Sequence, residues 1–416
     1  MHDSTFKTVS VLGLGYIGLP TAAMFASRKM NVIGVDVNQL AVDTINDGKI
    51  HIVEPDLDML VSAAVTAGYL RATITPEPAD AFLVAVPTPF KEGYEPDLSY
   101  IESATKAIAP VLKKGDLVVL ESTSPVGATE QMANWIAEAR PDLLVPLNEK
   151  QSGDLFIAHC PERVLPGYVV KELVENDRVI GGINRASSEK AIELYRAFVM
   201  GECITTTART AEMAKLTENA SRDVGIAFAN ELSIICDELD INVWELIALA
   251  NRHPRVNILQ PGPGVGGHCI AVDPWFIVSK TPETAKLIRQ ARVVNENKPA
   301  WVIEKVKEKV DQFLADHPGK KMVEVTIACF GLAFKPDIDD LRESPALQIT
   351  RELVNSLSCK IVAVEPNVDS LNEDFELVNL DNAFVKADVY VLLVDHCQFK
   401  KFKPSISYIV DTKGVW

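Results

Sequence analysis

In the first half of the chain, short unbroken apolar runs alternate with turns and with stretches of helical periodicity. Residues 8–13, 31–36, 81–86 and 117–121 are dominated by Val, Leu, Ile, Phe and Ala on consecutive positions. A strand that is apolar at every position, rather than at every second one, is buried on both faces, as in a parallel sheet packed between helices. The pattern then changes: Met213, Leu216, Ala220, Ala227, Leu232, Ile235 and Leu239 fall on a helical repeat from Ala211 to Leu239 with no proline between them, which predicts one long amphipathic helix. A second helical stretch covers 243–251, the Pro/Gly-rich segment 261–267 interrupts it, and 282–315 is helical again. Strand-like runs return at 325–332, 360–365, 389–395 and 408–412. Alternating strands and helices predict doubly wound parallel α/β sheets, here two of them separated by a helical spine.

Composition leaves this picture intact. With 47% hydrophobic and 24% charged residues the chain has the make-up of a globular protein, and 416 residues suffice for two or three domains with full cores. Charge narrows the partners. A formal net charge of -16 argues against extended contact with nucleic acid or an anionic membrane, so an anionic small substrate needs a locally basic pocket. No apolar run reaches the roughly 18 residues that span a bilayer, and the segment Met1–Lys7 lacks the apolar stretch of a signal peptide. A cytoplasmic location is expected. Cys160, Cys203, Cys236, Cys269, Cys329, Cys359 and Cys397 lie 30 residues or more apart, a spacing that fits neither a zinc site nor a disulfide framework. No metal is expected.

Gly13-Leu14-Gly15-Tyr16-Ile17-Gly18 closes the first apolar run and opens a helical pattern near Leu19. Glycines there permit the tight turn and close backbone approach that seat a dinucleotide pyrophosphate on a helix N-terminus. Asp36 ends the next run 23 residues after Gly13, where a carboxylate accepts hydrogen bonds from the adenosine ribose; NAD is favoured over NADP, whose 2′-phosphate it would repel. The expected architecture is therefore α/β, with two Rossmann-like domains joined by a long central helix. Its expected boundaries are 1–208 for NAD binding, 209–315 for the helical region and 316–416 for the C-terminal domain. Two further turns, Val86–Pro89 and Glu121–Gly127, sit where strand C-termini are expected. They make Thr88 and Thr123 candidate ligand contacts, or are ordinary turns.

The segment Gly264-Val265-Gly266-Gly267-His268-Cys269-Ile270-Ala271-Val272-Asp273 crowds glycines around a cysteine, with a carboxylate four residues on. It reads either as a nucleophile in a closely approached turn or as a buried cysteine. Lys215, Asn219 and Arg222, spaced four and three apart on the long helix, form one polar stripe, facing either a cleft or solvent.

Taken in order, the glycine fingerprint, Val86–Pro89, Ser122–Gly127, Pro161-Glu162-Arg163, the Lys215 helix, the Cys269 turn and Phe334-Lys335 through Arg342-Glu343-Ser344-Pro345 resemble the UDP-glucose/GDP-mannose dehydrogenase family over essentially the full length. The resemblance implies NAD-dependent oxidation of a UDP-sugar from the primary alcohol through the aldehyde to the carboxylic acid, with bacterial surface polysaccharide as the product's destination. An aldehyde offers no anionic tetrahedral carbon from which a second hydride leaves, so a nucleophile must create one; the resemblance assigns that to Cys269, through a thioester. It assigns Lys215 to acid/base or oxyanion work, Asn219 to oxyanion stabilisation, and Asp273, Glu162 and Thr123 to positioning and activating water. Gly13, Gly15, Tyr16, Ile17, Gly18, Asp36, Thr88, Thr123 and Arg342 are implied at the cofactor. Arg163, Val164, Lys215, Asn219, Arg222, His253, Arg255, Gly266, Phe334 and Lys335 are implied at the substrate. A homodimer through the central helix is implied, with Arg255 reaching the neighbouring active site, and UDP-sugar binding falls to the C-terminal domain.

Two departures matter. UDP-glucose dehydrogenases carry a lysine immediately before the motif aspartate, where this chain has Val272, and a serine or proline before the cysteine, where it has His268. Val272 counts against UDP-glucose, and a UDP-N-acetylhexosamine is expected, the manno epimer ahead of the gluco one at C2. His268 reads as tuning the thiolate, contacting the sugar or filling space. A two-electron β-hydroxyacid dehydrogenase shares the first sheet, the helical spine and a helix Lys/Asn pair but lacks the cysteine turn and the last domain. A non-catalytic NAD sensor gives Lys215, Asn219, Cys269 and Asp273 no reason to coexist.

Overall fold

The structure, a computed structural model, describes residues 6–416 except Pro166 and His268, so the readings of Met1–Thr5 and His268 lie outside the described residues. The chain divides into two compact units, Met1–Thr217 and Glu218–Trp416. The helix Ala208–Glu238 runs through the boundary.

The first unit is built on an eight-stranded sheet of order β3-β2-β1-β4-β5-β6-β7-β8. Its strands are β1 Thr8–Leu12, β2 Asn31–Val35, β3 Leu70–Thr73, β4 Ala81–Val84, β5 Leu117–Leu120, β6 Phe156–His159, β7 Arg178–Gly182 and β8 Cys203–Thr207. The four apolar runs of the sequence are the central strands. Successive residues of those strands enter opposite cores: Val9, Val11, Leu83 and Val119 pack on one face, Phe82, Val84, Val118 and Leu120 on the other. This is why they read as unbroken apolar runs. The sheet is parallel except where β6 meets β7 in antiparallel register. Strand order reverses between β1 and β4, which places the turns after these two strands at the switch point where open α/β sheets bind ligands.

The second unit contains the rest of the helix Ala208–Glu238, then helices Val243–Ala250, Asp273–Lys280 and Lys286–Asp316. A five-stranded parallel sheet follows, of order β11-β10-β9-β12-β13, with β9 Thr326–Phe330, β10 Lys360–Val364, β11 Glu376–Leu377, β12 Val389–Leu392 and β13 Ile409–Asp411. Both sheets are of the expected doubly wound kind. No described helix is long and apolar enough to cross a membrane.

The two long helices are held by buried polar contacts. Arg292 Nη1 and Asn295 Nδ2 each donate to Asp223 Oδ1 at 2.8 Å, Asn230 Nδ2 donates to Asn295 Oδ1 at 2.9 Å, and Lys298 Nζ donates to Ser233 Oγ at 2.5 Å. Asn230 Oδ1 also accepts the Gly262 N–H at 2.9 Å, which ties the segment leading to Cys269 into the same ladder. A buried polar group is tolerated only when paired, so these contacts hold one helix against the other in a single register. Asp223→Ala takes the buried carboxylate from the Arg292 guanidinium, 3% exposed, and leaves it only the more exposed Glu296 at 3.1 Å; breaking a buried pair in this way costs about 3–5 kcal/mol. Calorimetry should show a large drop in melting temperature, largely restored in the Asp223→Ala/Arg292→Met double variant. An unchanged melting curve for Asp223→Ala would contradict this account.

Candidate active site

In the first unit the turn after β1 is set by glycine. Gly13 has φ +86°, and a Cβ on Gly18 would lie 1.8 Å from the Gly13 carbonyl oxygen, so the helix Gly18–Ser27 can start against this turn only without a side chain. Gly15 instead faces open space, a cradle into which any Cβ would project. The helix has no side-chain cap and no acidic residue in its first turn, leaving its positive end available to an anion. Asp36 accepts the Leu14 N–H at 2.8 Å and the Asn38 N–H at 2.9 Å. These bonds hold the partly exposed carboxylate beside the glycine turn with lone pairs to spare for ribose hydroxyls. Tyr16 and Ile17 bridge turn and helix. The residues present fit NAD.

At the neighbouring turns, the Thr88 hydroxyl is buried without a hydrogen-bond partner, the condition of a group that a ligand satisfies. Ser122 Oγ donates to Val86 O at 2.6 Å and Ser124 Oγ to Ser122 O at 2.7 Å; Thr123, partly exposed between them, is not used in that way. Glu212 accepts the N–H groups of Gly127 and Thr129 at 2.7 and 2.8 Å, fixing this turn against the long helix one turn before Lys215. Glu162, 7% exposed, accepts the Arg163 N–H at 3.1 Å and is ion-paired with Arg178 at 3.0 Å. Arg163 Nη1 donates to Asp177 O at 3.4 Å, and Val164 packs on the core.

In the second unit the structure brings Asn219, Asp273 and Cys269 together. Asn219 Nδ2 donates to Asp273 Oδ2 at 2.5 Å, and the Asp273 and Val272 N–H groups donate to the Cys269 carbonyl at 2.9 and 3.1 Å. Asp273 is buried and opens the helix Asp273–Lys280 with Pro274 behind it, a favourable place for both residue types. Cys269 is exposed. A Cβ on Gly266 would lie 2.4 Å from Glu343 O and 3.0 Å from Phe334 Cβ; the glycine lets the cysteine turn lie flush on the segment 334–345. Burial, then the charge of Arg222, pushes the Lys335 ammonium below its ordinary value against the opposing pull of Cys269. Arg222, Lys335 and Cys269 thus share one field, and a cation near a cysteine favours the thiolate.

The remaining candidates make local contacts. Arg342 makes a two-pronged contact with Asp340 at 2.9 and 2.7 Å. His253 and Arg255 are exposed after the helix Val243–Ala250, with Arg255 N–H directed at His253 Nδ1 at 3.3 Å. Sequence reasoning missed Glu365, which follows β10 as Asp36 follows β2. It accepts the Leu332 and Ala333 N–H groups at 2.7 and 3.0 Å, and His396 Nε2 lies 3.1 Å away. Burial would raise this carboxyl, but the His396 hydrogen bond and the Leu332 N–H outweigh it and hold it below the ordinary range. The second sheet thus repeats the carboxylate latch with histidine where the first sheet leaves room for a ribose. Also missed was Arg178; a charge at the head of the apolar run Arg178–Gly182 was its signal.

Comparison with known proteins matches three successive parts of the chain to one family: its NAD binding domain at 7–199, its central domain at 209–297 and its UDP binding domain at 328–416. The chain belongs to the UDP-glucose/GDP-mannose dehydrogenase family. It is an NAD-dependent nucleotide-sugar dehydrogenase. Among relatives, it is 64% identical to the UDP-N-acetyl-D-mannosamine dehydrogenase of Yersinia pestis, over 99% of this chain and 100% of that one. It is 62% identical to an NDP-N-acetyl-D-galactosaminuronic acid dehydrogenase of Ralstonia nicotianae, over 100% and 97%. Among solved structures it resembles the UDP-D-ManNAc dehydrogenase of Pyrococcus horikoshii with a TM-score of 0.87, 39% identity and coverage of 98% and 96%.

The family's NAD binding domain coincides with the sheet that carries the open Asp36 latch, and its UDP binding domain with the sheet whose latch His396 fills. Asp36→Ala should weaken NAD binding about tenfold, or about 1.4 kcal/mol, in a calorimetric titration and narrow the preference over NADP. Equal affinity for the two cofactors in the wild type would contradict the role of Asp36.

Proposed function

We propose that this dehydrogenase oxidises UDP-N-acetyl-D-mannosamine to UDP-N-acetyl-D-mannosaminuronate through a thioester on Cys269. The observation that carries the chemistry is the contact of Asn219 with Asp273 directly behind the Cys269 turn. The sugar is supported by the full-length identity to the Yersinia pestis enzyme and by Val272, which removes the lysine of UDP-glucose dehydrogenases.

NAD, when bound, supplies the hydride acceptor for both two-electron oxidations. The protein's part begins with Lys215, which takes the hydroxyl proton as the alcohol becomes an aldehyde. The Cys269 sulfur then bonds to the aldehyde carbon, and the oxygen that gains negative charge is met by the Asn219 amide and the Lys215 ammonium. After the second oxidation the sugar carbon is held as a thioester. Water, deprotonated with the help of Asp273 and Glu162 and positioned by Thr123, adds to that carbon; the C–S bond breaks and the sulfur leaves as thiolate, ready for another cycle. Arg163, Arg222, Arg255 and Lys335 supply the cations that a UDP-sugar needs on a chain of charge -16.

The same reading carries a cytoplasmic homodimer that feeds surface polysaccharide synthesis. Phe228 and Ile235, seven residues apart on one helix face, and Leu239, in the turn just after the helix, are exposed, and a second copy of the chain would cover them. A second substrate reading, a galacto-configured N-acetylhexosamine, is favoured by the Ralstonia relative, and the gluco epimer stays in the comparison.

Measured kcat/KM should rank UDP-N-acetylmannosamine above UDP-N-acetylglucosamine, UDP-N-acetylgalactosamine and UDP-glucose, because a pocket built for an acetamido group leaves polar groups unpaired around a hydroxyl. UDP-glucose at or above the mannosamine substrate would overturn the assignment. Cys269→Ala should abolish acid formation while leaving NAD affinity and melting temperature within error, since it removes chemistry rather than core. Undiminished acid formation by that variant would exclude the thioester.

A further inference from the structure

The first unit buries two carboxyl groups around one cation, and only one of the two belongs to the chemistry proposed above. Glu121 follows β5 and is 1% exposed, Glu162 follows β6, Arg178 opens β7 at 3%, and Tyr195 ends the helix Arg185–Tyr195 at 0%. Arg178 Nη1 lies 3.0 Å from Glu162 Oε2, and Arg178 Nη2 donates to Leu173 O at 3.3 Å. The Tyr195 hydroxyl donates to Glu121 Oε1 at 2.5 Å, while Glu121 Oε2 is buried with no hydrogen bond. The guanidinium carbon lies 5.0 Å from the centre of the Tyr195 ring and 5.6 Å from that of Phe198. Tyr195 therefore touches both halves, with its hydroxyl on one carboxyl and its ring under the cation that pairs with the other.

We propose that Arg178, Tyr195 and Glu121 are a buried positioning device that places the cluster's single negative charge on Glu162 and keeps a proton on Glu121. The proposal rests on the reading of Glu162 as a water-activating carboxylate. Buried charges persist only when paired, and the cluster offers one cation for two carboxyls. Glu162 has that cation and the Arg163 N–H; Glu121 has one hydroxyl. The remaining facing groups add no charge: burial pushes the Cys160 thiol up to about 12 and holds the Tyr195 phenol well above its ordinary value. Burial first, and the charge of Glu162 second, raise Glu121 to about 8. At neutral pH Glu121 is an acid, and Arg178 is left to Glu162 alone. Above about 8 a second anion appears and competes for the same guanidinium.

A carboxyl whose folded value lies above its ordinary 4.5 costs stability as pH rises from about 4.5 to about 8, after which the cost is constant. Glutamine at position 121 mimics the protonated acid and escapes that cost.

The test uses the full-length enzyme. Infrared difference spectra at neutral pH should show the carbonyl stretch of a protonated carboxyl that disappears in Glu121→Gln and survives in Glu162→Gln. Glu121→Gln should keep kcat within about threefold at neutral pH, and its rate relative to wild type should rise above pH 8. Its melting temperature should exceed that of wild type by a margin that grows up to about pH 8 and then levels. Tyr195→Phe, which removes only the hydroxyl, should shift the band to the frequency of a carboxyl without a hydrogen bond. A band that survives Glu121→Gln, vanishes in Glu162→Gln or ignores Tyr195→Phe would overturn the proposal. Full activity in Glu162→Gln would instead defeat the role of Glu162 in the reaction, while the spectra still report which carboxyl holds the proton.

Discussion

The pairing of buried polar groups between the helices Ala208–Glu238 and Lys286–Asp316 is the constraint on which the second half of the site depends. Asp223, Asn230 and Ser233 face Arg292, Asn295 and Lys298, and sliding either helix by one residue would leave several of them buried and unpaired at about 1–3 kcal/mol each. One turn before Asp223 the same helix presents Asn219 to Asp273. Through Gly262 the ladder also anchors the segment that leads to Cys269. Cys269, Asn219 and Asp273 are thereby placed by a rigid helix pair rather than by loop contacts alone, as the proposed thioester chemistry would require.

The two sheets use one device in two ways. A carboxylate after the second strand of each sheet accepts backbone N–H groups from the turn after the first, Asp36 from Leu14 and Glu365 from Leu332 and Ala333. In the first sheet the carboxylate is partly exposed beside a glycine turn and a helix with an uncapped positive end. In the second, His396 fills the place and the carboxylate is buried. The same topology therefore yields one dinucleotide site, and leaves the second sheet to a different nucleotide.

What the sequence disclosed follows from burial. β1, β2, β4 and β5 were legible because both faces are covered. β3 and β8 were not: their residues at the sheet edges are half exposed and polar, as in Cys203–Thr207. β6 and β7 were hidden by His159 and Arg178, polar residues that end the one short strand and open the other. The helix Asp273–Lys280 was obscured because its first residues belong to a motif that reads as a turn. At the candidate site, the glycine fingerprint, Asp36, Asn219, Cys269 and Asp273 were expected from spacing and family resemblance, and the last three meet in the structure. The buried partners Glu121, Arg178 and Tyr195 carry no spacing signal, because residues far apart in the chain meet only when β5, β6, β7 and the helix Arg185–Tyr195 assemble.

The central claim is that a single protein carries the sugar through two successive oxidations without releasing the aldehyde. Its most direct test is the yield of NADH from a limiting, known amount of UDP-N-acetylmannosamine in excess NAD, with the product identified by mass. The account predicts two NADH for each sugar and the uronate as the only product; one NADH for each sugar, with an aldehyde or ketone accumulating, would contradict it.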